Sequence, residues 1–211
     1  MKEKSKLIRA VLDVPFYRQT LDFSCGPACL IMAMKYFDPN LRASRELEID
    51  IWREANLVEV YGTSRFGLAL AAWRRGFEVY SCGVEEGTSF VEGVAEQMPN
   101  LNRDVLKIFY EDVKEKCKRA GIEDQELAPT LSDIGRWLAN DQVPLLLMNS
   151  AMLSYEVLPH WVVITGIGRR RIRINNPLGD LARVQVSIEV FERNMGFKGT
   201  HCAVVLKGKR G

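Results

Sequence analysis

The stretch Gln19-Thr20-Leu21-Asp22-Phe23-Ser24-Cys25-Gly26-Pro27-Ala28 decides how the chain is read, because it closes a loop and opens an apolar helix on a cysteine. Pro27 fits a helix only in the first turn, where its missing N–H has no intrahelical partner to lose. The residues from Cys29 to Tyr36 are mostly apolar, and Asp38-Pro39 supplies a stop. The pattern therefore predicts a buried helix beginning at Cys25. A thiol in that place feels the positive end of the helix dipole and the unpaired backbone N–H groups, and both favour thiolate over thiol. The competing reading is a small buried hydrophobe, the usual fate of a free cysteine. Cys29, one turn on, is read that way. Two neighbours favour the nucleophile at Cys25. Gln19 carries a side-chain amide able to donate to a developing oxyanion beside the Cys25 N–H. Gly26 lets a substrate carbonyl approach the backbone closely.

A thiolate nucleophile usually works with a histidine, and the chain has only His160 and His201. His160 opens the apolar run His160-Trp-Val-Val-Ile-Thr-Gly166, which turns near Gly168 and returns as Arg171-Ile-Arg-Ile-Asn-Asn-Pro177. A hairpin centred on Gly168 sets His160 across from Asn176 on the same face, where the amide orients the imidazole. A slip of one residue substitutes Asn175 and flips the face. Trp161 is expected to pack over this pair or line a cleft. The segment 149–159, with Met152 and Tyr155, is expected to form an apolar subsite. His201 is read as structural, and with Cys25, Cys29 and Cys202 it matches no familiar zinc spacing. No metal and no other cofactor is expected.

Outward from these motifs, residues 11–17 read as a short extended segment, 45–55 and 64–75 as helices, and 77–82 as a strand. Residues 85–127 are charged and amphipathic, clearest at 101–120, where Val105, Ile108, Phe109, Val113 and Cys117 recur at helical spacing; they read as a helical insertion or lid. A short helix over 132–139 precedes strands at 143–148, 161–167, 171–174, 182–187 and 203–206. Helices first and strands later imply an α+β domain with a largely antiparallel sheet, spanning 1–211 as one unit.

Composition narrows the remaining classes. Of 211 residues, 47% are apolar and 27% charged, which excludes disordered and collagen-like chains. A formal charge of +2 from 29 basic and 27 acidic side chains argues for neither nucleic acid nor membrane as a partner. The basic run Arg169-Arg170-Arg171 falls at the expected hairpin tip and reads as a solvated turn. No secretory pattern is seen, and no run approaches about 18 apolar residues. Five scattered cysteines suit a reducing compartment, so the expected location is cytoplasmic.

Taken in order, Val14-Pro15, Gln19, Cys25-Gly26-Pro27-Ala28, Gly62-Thr63-Ser64, Gly67-Leu68, Gly76-Phe77, Val143-Pro144, His160-Trp161-Val162-Val163, Gly166 and Asn175-Asn176-Pro177 resemble the C39-like branch of papain-fold cysteine peptidases. The resemblance covers residues 14 to about 177. It implies a papain-like fold in which the nucleophile helix packs on a C-terminal antiparallel sheet. By position it makes Gln19 the oxyanion glutamine, Cys25 the nucleophile, His160 the base and Asn176 the orienting residue. That family often has aspartate where Asn176 stands. The implied function is a cysteine-type peptidase acting on a peptide or protein substrate. The same triad would serve a deamidase or acyltransferase, and a silent peptide-binding or regulatory module is the reading from another class. The residues do not specify an oligomeric state.

Overall fold

The computed structural model describes residues 9–56, 61–85, 100, 102–153, 157–179 and 183–211. A two-residue strand β1 (Ala10–Val11) leads into helices α1 (Cys25–Phe37), α2 (Arg45–Ala55) and α3 (Arg65–Arg74). Strand β2 (Phe77–Glu85), helix α4 (Arg103–Arg119), strand β3 (Asp124–Gln125) and helix α5 (Leu131–Ala139) follow. The last third holds strands β4 (Val143–Asn149), β5 (Pro159–Ile167), β6 (Arg171–Asn175) and β7 (Val184–Ser187), helix α6 (Ile188–Arg193) and strand β8 (Thr200–Lys209). This is the α+β architecture expected, with the helical part packed on the sheet.

Helix starts follow from side chains able to accept from the first turn. Ser44 accepts from Leu47 N–H, Ser64 from Gly67 N–H, and Thr130 with Asp133 forms a reciprocal capping box. Helix α3 ends at Gly76, whose φ of 82° is the left-handed conformation that glycine adopts without strain.

The strands order β3-β2-β8-β4-β5-β6-β7, with β1 added to the far end of β5. Every pairing is antiparallel except β2 with β3. Alternation along the central strands feeds two cores. Leu145, Leu147, Trp161 and Val163 meet α1 to α4 on one face, while Leu146, Met148, Val162 and Ile164 meet α5 and α6 on the other. Burial on both faces explains the uninterrupted apolar runs of β4 and β5. Pro144 is tolerated because β4 pairs only with β8 at that point; pairing with β5 begins at Leu145.

Helix α1 is the centre of the helical layer. Gly26 through Met34 are all buried, as a helix apolar all round must be. Of the segment 85–127 expected as a charged helical insertion or lid, residues 86–99 and 101 lie outside the described residues. Helix α4 packs into the main core through Leu106, Tyr110 and Cys117, and the Cys117 thiol donates to Phe66 O at 3.2 Å. Its buried stripe is 106/110/113/117, whereas Ile108 and Phe109 are exposed. The stripe expected from 105, 108 and 109 mixed two adjacent faces of the helix. Among the described residues no helix is long and apolar enough to cross a membrane.

Candidate active site

Cys25 is the first residue of α1, and the helix is held in register against β5 one turn further on. There Cys29, wholly buried, donates its thiol to Trp161 O at 3.3 Å. That contact brings the start of α1 beside the start of β5, where His160 stands. The groups that act on the Cys25 thiol are the His160 imidazole and the backbone N–H groups of Trp161 and Gly26. His160 Nε2 lies 2.8 Å from Asn176 Oδ1, which leaves Nδ1 as the nitrogen facing the thiol. Asn176 Oδ1 also accepts from Leu178 N–H at 3.2 Å, so the amide is fixed by its own turn.

These contacts set the charge balance. Burial opposes ionisation of Cys25, but the hydrogen bond and charge of His160, with the two backbone N–H groups, outweigh it and hold the thiol below its ordinary range. Burial likewise disfavours a charged His160, yet the hydrogen bonds to Cys25 and Asn176 and the Cys25 charge hold it above the ordinary imidazole range. The pair therefore favours thiolate and imidazolium. Elsewhere burial wins: it pushes Cys29 well up, and Cys82 and Cys117 up to about 12.

The hairpin delivers Asn176 by a register other than the one expected. Val163 pairs with Asn175 and Ile164 with Ile174, and the register shifts between Ile164 and Gly166. The hairpin is thus centred near 169 rather than 168, a slip of two residues. An even slip preserves the face, so Asn176 still reaches His160 while Asn175 turns away. Asn175 is buried and donates to Val14 O at 3.1 Å, a structural tie to the N-terminal segment.

Gln19 is nearly buried on the loop before α1. Its backbone N–H donates to Pro177 O at 3.0 Å, joining it to the turn that carries Asn176, and Nε2 donates to Leu21 O at 2.7 Å. Its Oε1 is buried without a partner.

The expected substrate-binding positions have packing of their own. Gly26 is required by the chain's own packing: an ideal Cβ would lie 2.3 Å from Thr63 Oγ1 and 3.1 Å from Leu68 Cδ1. Gly26→Ala is accordingly expected to destabilise the fold by about 1–3 kcal/mol, read by urea unfolding. Combining it with Thr63→Ala should recover part of the loss. Trp161 lines no open cleft, since it is 3% exposed, sits in the helix-side core and donates Nε1–H to Thr63 O at 3.2 Å. Only its backbone N–H serves Cys25. Of the expected apolar subsite, Met152 is half-buried against the core on the α5 side, and Tyr155 lies outside the described residues.

The residue that the motifs did not single out is Glu48. It is 0% exposed, on α2, with its carboxylate among Tyr17, Thr20 and Ser24. A signal was present: 48, 51 and 55 form the one buried stripe of α2, so the glutamate shares a face with Ile51 and Ala55. Two residues ahead of Cys25, Phe23 packs its ring on Trp52 and Tyr61, with centroids 5.1 and 5.0 Å apart.

A helix-borne cysteine meeting a histidine and an asparagine carried by an antiparallel sheet defines the papain-like class of fold. The chain belongs to the family described as Peptidase_C39 like family, whose sequence model matches residues 14–195. A Bacillus anthracis protein described as a putative C39-like peptidase has a similar structure, with a TM-score of 0.54 at 16% identity over 96% of this chain and 99% of that one. The peptidase domain of Streptococcus ComA, a bi-functional ABC transporter involved in a quorum sensing pathway, is similar with a TM-score of 0.51 at 15% identity, over 93% and 99% of the two chains. At these identities the likeness is one of fold. No curated protein matches the chain in sequence.

Proposed function

We propose that the chain is a cysteine-type peptidase whose nucleophile is Cys25, whose acid and base is His160, and whose orienting residue is Asn176. The observation that carries this reading is the His160 Nε2–Asn176 Oδ1 contact at 2.8 Å beside a cysteine that opens α1, with the thiol held down and the imidazole held up. A cysteine in the core has no need of such partners.

In the reaction the Cys25 thiolate attacks the carbonyl carbon of a peptide bond, forming a C–S bond and an oxyanion. The Cys25 N–H and the second N–H of Gln19 Nε2 stabilise that oxyanion; the first is used by Leu21 O. His160 gives its Nδ1 proton to the leaving amine as the C–N bond breaks, leaving a thioester and a neutral imidazole. Water, losing its proton to His160, then hydrolyses the thioester and restores the pair. Throughout, Asn176 holds Nε2 so that Nδ1 stays aimed at the sulfur.

A diverse peptide library incubated with the chain and with Cys25→Ser is the direct test. Cleavage confined to the unsubstituted chain supports the peptidase; no cleavage, with a Cys25 no more reactive than a free thiol, returns the chain to the peptide-binding reading. Asn176→Ala is expected to lower kcat by roughly 10²-fold, the low end of what a well-aimed proton-transfer group contributes. Asn176→Asp keeps an acceptor facing both Nε2 and Leu178 N–H and should retain most of the rate.

A further inference from the structure

We propose that Glu48 is a positioning residue of this site: its buried carboxylate holds the loop between Tyr17 and Ser24, and through it Gln19, in the geometry that stabilises the oxyanion. The inference rests on the peptidase reading above and adds to it a residue from a different helix.

Each carboxylate oxygen of Glu48 receives two donors. Oε2 accepts from the Tyr17 hydroxyl at 2.9 Å and the Thr20 hydroxyl at 2.7 Å. Oε1 accepts from Thr20 N–H at 2.9 Å and from the Ser24 hydroxyl. The Ser24 hydroxyl has one proton for Glu48 Oε1 and Leu21 O, so the carboxylate has three donors of its own and shares a fourth, close to the roughly four acceptor sites such a group offers. Burying such a charge is costly unless it is fully hydrogen-bonded, and here the hydrogen bonds are all spent on one short loop. Burial and the Glu48 hydrogen bond push the Tyr17 phenol far up, keeping it a donor.

The loop has a functional content out of proportion to its length. Gln19 lies between two residues that Glu48 grips, and Cys25 follows a third. Ser24 is the N-cap of α1 but caps nothing with its side chain: Pro27, at the position whose N–H the capping side chains of α2, α3 and α5 bind, has none to offer, and the Ser24 hydroxyl is within reach of Glu48 and Leu21 O instead. Through that hydroxyl Glu48 fixes where the loop enters the helix.

The substitution Glu48→Gln replaces one acceptor oxygen by an NH2 group facing donors, and so loosens the loop without changing side-chain size. Two small probes separate the loop's role from general structure. Acylation by p-nitrophenyl acetate passes through an oxyanion: the Cys25 thiolate forms a bond to the acetyl carbon, the C–O bond breaks, and p-nitrophenolate leaves with the electron pair. Alkylation by iodoacetamide displaces iodide and forms no oxyanion, so it reads only the thiolate. In the full chain, Glu48→Gln is expected to slow the p-nitrophenolate burst by about 10²-fold, in line with loss of one oxyanion donor. Its alkylation rate and the pH at which alkylation begins should stay as in the unsubstituted chain. Equal losses in both probes, or no loss in either, overturn the positioning role. A chain that alkylates at Cys25 but never acylates overturns the peptidase reading itself, and the positioning role with it. Should Glu48→Gln fail to fold by circular dichroism, Thr20→Val removes one of the four donors at an exposed residue; the same split between probes supports the role, and its absence overturns it.

Discussion

Cys25→Ala is expected to abolish turnover, a loss of roughly 10⁶-fold by comparison with removal of a triad nucleophile, while leaving the fold in place. The fold should survive because α1 is anchored by Gly26 through Met34, all buried, and by the Cys29–Trp161 contact, none of which involves the Cys25 side chain. The same substitution should remove the one fast-reacting thiol. Near pH 6 an ordinary cysteine, with a pKa of about 8.5, is almost wholly protonated, whereas Cys25 is held down by His160. Mass-spectrometric mapping of iodoacetamide adducts at that pH should therefore find Cys25 modified first, with Cys29, Cys82 and Cys117 protected both by burial and by raised pKa values. Even labelling across the cysteines, or turnover that survives in Cys25→Ala, would contradict the assignment.

How much of this was legible beforehand depends on the kind of signal. The start of α1 was readable because Pro27 and the stop at Asp38-Pro39 are local constraints, and the strands were readable because β4 and β5 are apolar on both faces. Local chemistry also marked Gln19, Cys25, His160 and Asn176, which the fold gathers on the α1 end and the neighbouring loop and turn. What failed depended on three dimensions. The β5–β6 register differs from the expected one by three residues at the tip, where Gly166 pairs with Arg173, and the irregularity between Ile164 and Gly166, which leaves no sequence mark, takes one back; only the resulting even slip keeps Asn176 in place of Asn175. Trp161 was expected at a cleft because it neighbours His160, but strand alternation sends it into the helix layer. The stripe of α4 was blurred by apolar residues on two faces. Glu48 was hidden by its type: a glutamate in Arg-Glu-Leu-Glu-Ile-Asp reads as solvated surface, and only its alignment with Ile51 and Ala55 betrays a buried charge.

His160→Ala should cost as much turnover as loss of the nucleophile, because thiolate formation and protonation of the leaving amine both pass through one ring. Removing the catalytic histidine of a triad lowers kcat by about as much as removing all three members, on the order of 10⁶-fold. Its more telling effect is on pH. In the unsubstituted chain Cys25 has a depressed pKa and His160 a raised one, so the thiolate–imidazolium form spans the window between them. Activity needs that form. It should rise as Cys25 loses its proton, below the ordinary thiol range, and fall as His160 loses its proton, above the ordinary imidazole range. Deleting the ring removes the contributions that lower the Cys25 pKa most, and burial is left opposed only by the Trp161 and Gly26 N–H groups. The sign then reverses. Alkylation of Cys25 in His160→Ala should begin at higher pH than in the unsubstituted chain and approach the behaviour of Cys29, whose thiol burial drives up. Measuring iodoacetamide rates against pH for both proteins checks this directly. A Cys25 profile unmoved by the loss of His160 would mean that the helix end alone sets the thiolate and that the imidazole serves some other purpose.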